Sequence, residues 1–210
     1  MLSGGVLKDT RTDLLSPGDG GILSADANLA MRAIGSQVGF AKVFMQAFAY
    51  RRVPSVPRVV LAGGARVGLV HGFAQTLGDG TTVELVPASQ RFFTGGSNTV
   101  RGFQQDRVGA PDILDARGLS NGGTGLMVLN AEIRTAITRE IGLATFVDSG
   151  NVFSRISEMH VSDLRTSMGA GLRYRSPIGP LRFDIGWKVG ALRITDSRRW
   201  DFHFSIGEAF

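Results

Sequence analysis

Two short runs in this chain carry side chains whose types and spacing could do chemistry, and the chemistry they suit is ionic, not covalent. The first is Arg91-Phe92-Phe93-Thr94-Gly95-Gly96-Ser97-Asn98-Thr99-Val100-Arg101-Gly102-Phe103. Its paired glycines, Gly95 and Gly96, permit positive φ and close backbone approach, and they leave Arg101 at a tip between Val100 and Gly102. The second is Phe146-Val147-Asp148-Ser149-Gly150-Asn151-Val152-Phe153. On a strand, Phe146 and Asp148 project to one face, opposite Thr145 and Val147. An arginine arriving over that face can donate two hydrogen bonds to the carboxylate while its planar guanidinium stacks on the ring, which lysine cannot reproduce. Asp148 also suits an Asp-Ser-Gly-Asn turn at a strand end, where its side chain bonds local backbone, and the two roles are compatible.

Other arrangements are poorer candidates. Glu132 with Arg134, and Arg182 with Asp184, lie on shared strand faces, where they read as solvated or mutually paired charges and not as a general acid and base. Gly95-Gly96 lacks the Lys-Ser/Thr of a phosphate loop, and no Gly-x-Ser-x-Gly elbow is present. With no cysteine and only three histidines, His71, His160 and His203, neither a disulfide framework nor a thiolate metal site can form. No enzyme activity, metal or cofactor is expected. The net charge of +5 is spread along the chain and not gathered in a patch, which argues against nucleic acid as a partner.

The elements that position these residues must be strands. The chain's 29 glycines against 7 prolines among 210 residues imply many turns, and no apolar run approaches the ~20 residues of a spanning helix. Any membrane crossing must then be made by strands, since only helices and closed barrels satisfy the backbone in lipid. Strands are expected over 22–33, 38–51, 59–73, 124–137, 141–147, 166–175, 181–189 and 200–210, with the end of a ninth over 7–13. Between the third and fourth runs a long polar, glycine-rich segment over 74–123 reads as a functional loop. Leu181, Phe183, Ile185, Trp187 and Val189 share one face, and Arg182, Asp184, Gly186 and Lys188 the other. Likewise Met127, Leu129, Ala131, Ile133 and Ile137 oppose Asn130, Glu132 and Arg134, while Trp200, Phe202, Phe204, Ile206 and Phe210 oppose Asp201, His203 and Ser205. The apolar sets suit lipid and the polar sets a watery lumen. A soluble sandwich or lipocalin-like binding barrel would alternate in the same way, so periodicity leaves both open. Trp187 and Trp200 near strand ends fit an interfacial girdle.

Taken with Tyr174-Arg175-Ser176-Pro177-Ile178-Gly179-Pro180-Leu181-Arg182-Phe183-Asp184-Ile185-Gly186-Trp187 and the terminal Phe210, these runs resemble the Omp85 superfamily. Its members, of the BamA, TamA and D15 surface-antigen type, are outer-membrane barrels that insert or translocate other proteins. The resemblance implies an all-β fold, an antiparallel transmembrane β-barrel segment of about eight meandering strands forming the C-terminal half of a sixteen-stranded barrel. Residues 1–210 would be that barrel domain, incomplete at its N-terminus, and 74–123 its long extracellular loop. The loop motif, Gly95, Gly96, Val100, Arg101, Gly102 and Phe103, would fold inward onto a lumen partner formed by Phe146, Asp148 and Gly150. The final strand, through Phe202, Phe204, Ile206 and Phe210, would act as the β-signal read by assembly machinery, with Glu208 departing from its apolar face.

The implied location is the bacterial outer membrane. The implied function is non-catalytic insertion of β-barrel or autotransporter-type clients, with a two-partner-type secretion pore or the barrel tail of a patatin-linked surface antigen as alternatives. Partners would be the lipid bilayer, unfolded outer-membrane clients, and N-terminal strands and POTRA modules outside this chain. Met1-Leu2-Ser3-Gly4-Gly5 lacks the features of a secretory signal, consistent with a piece of a longer precursor. In a partly hydrated lumen the Arg101–Asp148 pair should be worth less than the ~3–5 kcal/mol of a fully buried pair, yet more than a surface bridge at ~0–1 kcal/mol.

Overall fold

The computed structural model describes residues 1–31, 36, 38–76, 81–177, 179–193, 196 and 198–207. Nine strands form one antiparallel meander: β1 (Leu2–Asp9), β2 (Gly20–Ala30), β3 (Phe40–Arg52), β4 (Val59–Gly72), β7 (Gly125–Ala136), β8 (Ile141–Phe153), β9 (Arg165–Ser176), β10 (Gly179–Lys188) and β11 (Trp200–Ile206). Each pairs with its sequence neighbour, and β1 and β11 are the two edges. Two further strands, β5 (Ala74–Thr76) and β6 (Thr82–Glu84), make a separate ribbon at the start of the long connection. Most main-sheet strands run to ten or more residues, the length that crosses a bilayer when tilted.

One sequence expectation is sharpened and two need correction. The ninth strand, expected only as an ending over 7–13, is a full strand over Leu2–Asp9; Leu2 to Asp9 pair in unbroken register with Leu29 to Ile22. The strand carrying Asp148 continues to Phe153, so Asp-Ser-Gly-Asn is not a turn. Its backbone groups stay in the ladder, with Asp148 opposite Asn130 and Ser149 opposite Leu129. The 74–123 segment is also far from a bare polar loop. Val86, Phe92, Val100, Phe103, Val108 and Ile113 from it form an apolar core with Ala30, Phe40, Val70, Leu126, Val128 and Val152 of the sheet. The bridges Phe92 to Gly123, Thr94 to Val108 and Leu114 to Ser120 give it internal order.

The faces divide as the alternation requires, but with burial opposite to that of a soluble protein. On β10, Arg182 and Asp184 are 0% and 1% exposed while Phe183 and Trp187 are 38% and 41% exposed. Leu129, Ile133, Leu143, Val147, Met168, Phe202 and Phe204 likewise stand on the open face. So broad an apolar exterior around a charged, covered interior removes the soluble binding-barrel alternative, since water would face the apolar side. It is the distribution of a barrel whose solvent outside is lipid. Trp187 and Trp200 sit opposite each other on this outer face. Among the described residues no helix is long and apolar enough to cross a membrane.

The connections 10–19, Val53–Arg58 and 137–140 lie with Pro177 at one end of the sheet. The described residues of 31–39, 73–124, 154–164 and 189–199 lie at the other, and the long connection folds from that end back into the concave side.

Candidate functional site

Directly opposed residues on antiparallel neighbours share a face, so the register builds inward rows across the sheet. One row runs Phe48, Gly64, Asn130, Asp148, Ser167, Lys188. A second runs Tyr50, Ala62, Glu132, Phe146, Gly169, Gly186, Asp201. The small members leave a trough over which the loop tip lies.

Arg101 occupies that trough and is 1% exposed. Its Nε and Nη2 donate to Asp148 Oδ2 and Oδ1 at 2.7 and 3.0 Å, and its own backbone N–H reaches Asp148 Oδ2 at 3.1 Å. Its Nη1 donates to Glu132 Oε2 and lies 3.7 Å from Asp184 Oδ2. The guanidinium stacks over Phe146 with 3.5 Å to the ring centroid. The structure thus brings Arg101 together with Phe146 and Asp148, and the pairing is bidentate and stacked. The hydration expectation is corrected, because Asp148 and Glu132 are themselves buried and the pair belongs in the fully buried class.

The carboxylates are held in turn. Asn130 Nδ2 donates to Asp148 Oδ1 at 2.8 Å and to the Thr99 carbonyl at 2.7 Å, and Arg66 holds the Asn130 oxygen at 3.0 Å. Glu132 accepts from Arg134 Nε at 2.7 Å and Arg173 Nη2 at 3.2 Å, and Arg173 Nη1 donates to Asp184 at 2.6 Å. Glu132, read from sequence as a generic lumen charge, is therefore a second principal acceptor for Arg101.

The backbone of the tip is fixed as tightly as its side chain. Gly95, Gly96 and Gly102 have φ of 113°, 95° and 86°, a region that only glycine enters freely. A Cβ on Gly102 would meet Gly186 backbone carbon at 2.9 Å, and one on Gly186 would meet Gly102 nitrogen at 2.6 Å. Two bare backbones thus touch where the loop crosses β10. Ser167 Oγ donates to the Arg101 carbonyl, and Gly102 N–H donates to His203 Nε2 at 2.9 Å. His203, expected to be lumen filler, instead ties the loop to the last strand and does so through an unprotonated ring nitrogen.

Val100 lies against Gly150, where an added Cβ would come within 2.8 Å of Val100 Cγ2, so the third member of the expected lumen partner serves by being small. Phe103 is sandwiched by cations, with Arg165 and Lys188 at 4.7 and 5.0 Å from its centroid. Both also hold Asp196, at 2.6 and 3.1 Å. Asp196, in the β10–β11 connection, is drawn down to about 2: burial opposes this, but hydrogen bonds from Arg165, the Arg193 backbone and Lys188 outweigh it. Arg182 reaches the loop from β10, donating to the Ser97 carbonyl at 3.2 Å and Asn98 Oδ1 at 2.9 Å. On the outer face Phe202, Phe204 and Ile206 are exposed, with the Phe183 ring tilted against Phe204 at 4.9 Å between centroids; Phe210 and Glu208 lie outside the described residues. Among the described residues no cluster of His, Asp or Glu is arranged to hold a metal.

A concave antiparallel sheet with a lipid-type exterior, a charged interior and a loop latched inside by one arginine defines a transmembrane β-barrel segment. The Omp85 superfamily domain matches residues 1–210, and the chain belongs to that superfamily and to the bacterial outer membrane. It is 30% identical over 206 residues to the outer membrane protein assembly factor BamA of Nitratidesulfovibrio vulgaris, covering 97% of this chain and 24% of that protein. It is 24% identical to the BamA of Neisseria meningitidis serogroup B, covering 70% of this chain and 21% of that one. A SAM50-like protein of Schizosaccharomyces pombe matches at 26% identity over 87% of this chain and 38% of its own length. Among solved structures, BamA from Haemophilus ducreyi lacking POTRA domains 1–3 superposes with a TM-score of 0.75 at 21% identity, over 95% of this chain and 41% of that one. The chain thus spans about a quarter of the length of the BamA relatives it matches.

Proposed function

We propose that this chain is the C-terminal part of a barrel that inserts unfolded β-barrel clients into the outer membrane, and that it does so without catalytic chemistry. The observation that carries this reading is the latch. Arg101 joins the long loop to β7, β8 and β10 through Glu132, Asp148 and Asp184, while the next residue joins it to β11 through His203. Such a device has no reacting atom. Its work is to hold the interior of a barrel in one arrangement while the strands at its edge change theirs, and the BamA relatives are named for outer membrane protein assembly. The long connection then faces the cell exterior and the short-turn end the periplasm, where clients arrive.

The test is Arg101→Ala in the full-length protein, reconstituted and assayed for client insertion, with protease resistance of the barrel measured in parallel. Loss of insertion together with faster cleavage of the 74–123 segment is expected. Unchanged insertion and unchanged protease resistance would sink the reading.

A further inference from the structure

The short-turn end holds a second charged feature that the latch does not use. A cavity of about 280 Å³ opens at that rim of the sheet, bounded by the 10–19 connection, the turns after β3 and β7, and the start of β10. Six arginines line it, Arg52, Arg58, Arg134, Arg139, Arg173 and Arg175, and Glu140 is the sole carboxylate among the described lining residues. Register explains the convergence. Arg52 opposes Val60, which opposes Arg134; Arg173 opposes Gly142, and Arg175 opposes Pro180. Small or apolar partners leave room, and the guanidinia fill its edges.

The charge there is only partly balanced from within, where Arg134 is held by Glu132 at 2.7 Å. At the base, Arg173 spends its two terminal nitrogens on Glu132 and Asp184. Its Nε–H, on a residue 7% exposed, is buried with no hydrogen-bond partner, a costly state for a donor unless a ligand meets it. At the rim, Asp19 stands 3.9 Å from Arg52, and Asp13 in the 10–19 connection is held low chiefly by the Leu15 and Ser16 backbone N–H groups, with a lesser pull from Arg175. Arg58 and Arg139 make no ion pair among the described residues. Guanidinium forks at this density match planar oxyanions, carboxylates above all. The cavity's volume suits one or two carboxylate side chains.

We propose that this cavity binds carboxylate side chains of an acidic polypeptide segment entering the lumen from the short-turn side. The inference rests on the assembly reading for the identity of that polypeptide, and its test does not. The full-length protein is placed in nanodiscs of zwitterionic lipid, and fluorescein-labelled glutamate-rich and lysine-rich peptides of equal length are titrated by anisotropy. The glutamate-rich peptide should bind, more weakly as salt rises, and the lysine-rich one should not. Arg58→Glu/Arg139→Glu/Arg175→Glu, all on the rim and outside the latch, should weaken binding by at least about tenfold, ~1.4 kcal/mol, with a wild-type circular dichroism spectrum. Equal binding to wild type and variant, or none to either, would overturn the proposal. So would variant-sensitive binding of phosphatidylglycerol vesicles without peptide binding. If peptide binding fails while Arg101→Ala abolishes client insertion, only the cavity proposal falls. If the peptide binds but insertion ignores Arg101, the assembly reading falls and the site stands.

Discussion

The inner faces of β7–β10 and of β2 follow the same alternation and differ in what covers them. Asn130, Glu132, Asp148, Arg182 and Asp184 are all buried, whereas on the opposite flank every residue of β1 is exposed and Asp26 of β2 is too. β1 is the sheet's edge, but β2 has a neighbour on either side and its Asp26 is exposed all the same. The long connection lies directly on β7–β10 but stands away from β1–β2, where a space of about 1000 Å³ opens between Ser3, Asp26, Asn28, Lys42 and Phe92. What an interior charge is worth is therefore decided by the loop above it.

That comparison can be broken or sharpened by substitution. Arg101→Ala leaves Asp148 and Glu132 buried without their central partner, so a loss of about 3–5 kcal/mol is expected. Asp26→Asn on the uncovered flank should change stability by no more than ~0.5 kcal/mol. The guanidinium chloride midpoint of the full-length barrel in detergent measures both, and similar shifts for the two would refute the distinction. Gly186→Ala places a methyl against the Gly102 backbone and should cost about 1–3 kcal/mol with faster proteolysis of the loop. Gly4→Ala in β1, where an added Cβ meets nothing within 4 Å, serves as its neutral counterpart. Phe146→Leu removes the ring beneath Arg101 and should cost about 1–2 kcal/mol, while Arg101 stays in place by its hydrogen bonds in a structure of the variant.

The smallest expected effect is a pH dependence outside the membrane span. Asp196 has its carboxyl lowered from 3.8 to about 2, so its contribution is fully present above about pH 4 and is lost as pH falls through about 2. Asp196 is partly exposed, so screening reduces this contribution. Tryptophan fluorescence from Trp200, at the end of the same connection, should report a transition in that window, and Asp196→Asn should remove it.

Part of the latch was legible in the sequence because its makers are local, while the pairing of Arg101 with Phe146 and Asp148 was implied by the resemblance to the Omp85 superfamily. Gly95, Gly96 and Gly102 announce unusual backbone, Arg101 sits between them, and Phe146 with Asp148 share a face by a two-residue spacing. Glu132, Ser167, Gly186 and His203 were not legible as members. Each comes from a different strand, and only the cumulative register across β7 to β11 brings them to one trough. A single-residue slip would have turned any of them outward. The inward apolar core of 74–123 was missed for a related reason, since Val86, Phe92, Val100, Val108 and Ile113 are scattered among polar residues without a period. The apolar outer face, by contrast, follows from alternation alone, and only its exposure needed the structure to show that lipid lies beyond it.

The contact between Gly102 and the end of the chain bears on the order of folding. The bonds that seat the loop tip span 31 residues to Glu132, 47 to Asp148, 66 to Ser167 and 101 to His203. Contacts of such long range form only after the intervening chain is arranged. The trough does not exist until β7 through β10 are paired, and the acceptor for Gly102 N–H does not arrive until β11 is added. Closure of the loop therefore waits on β11, and the Gly102–His203 bond acts as an internal check that this strand lies in register.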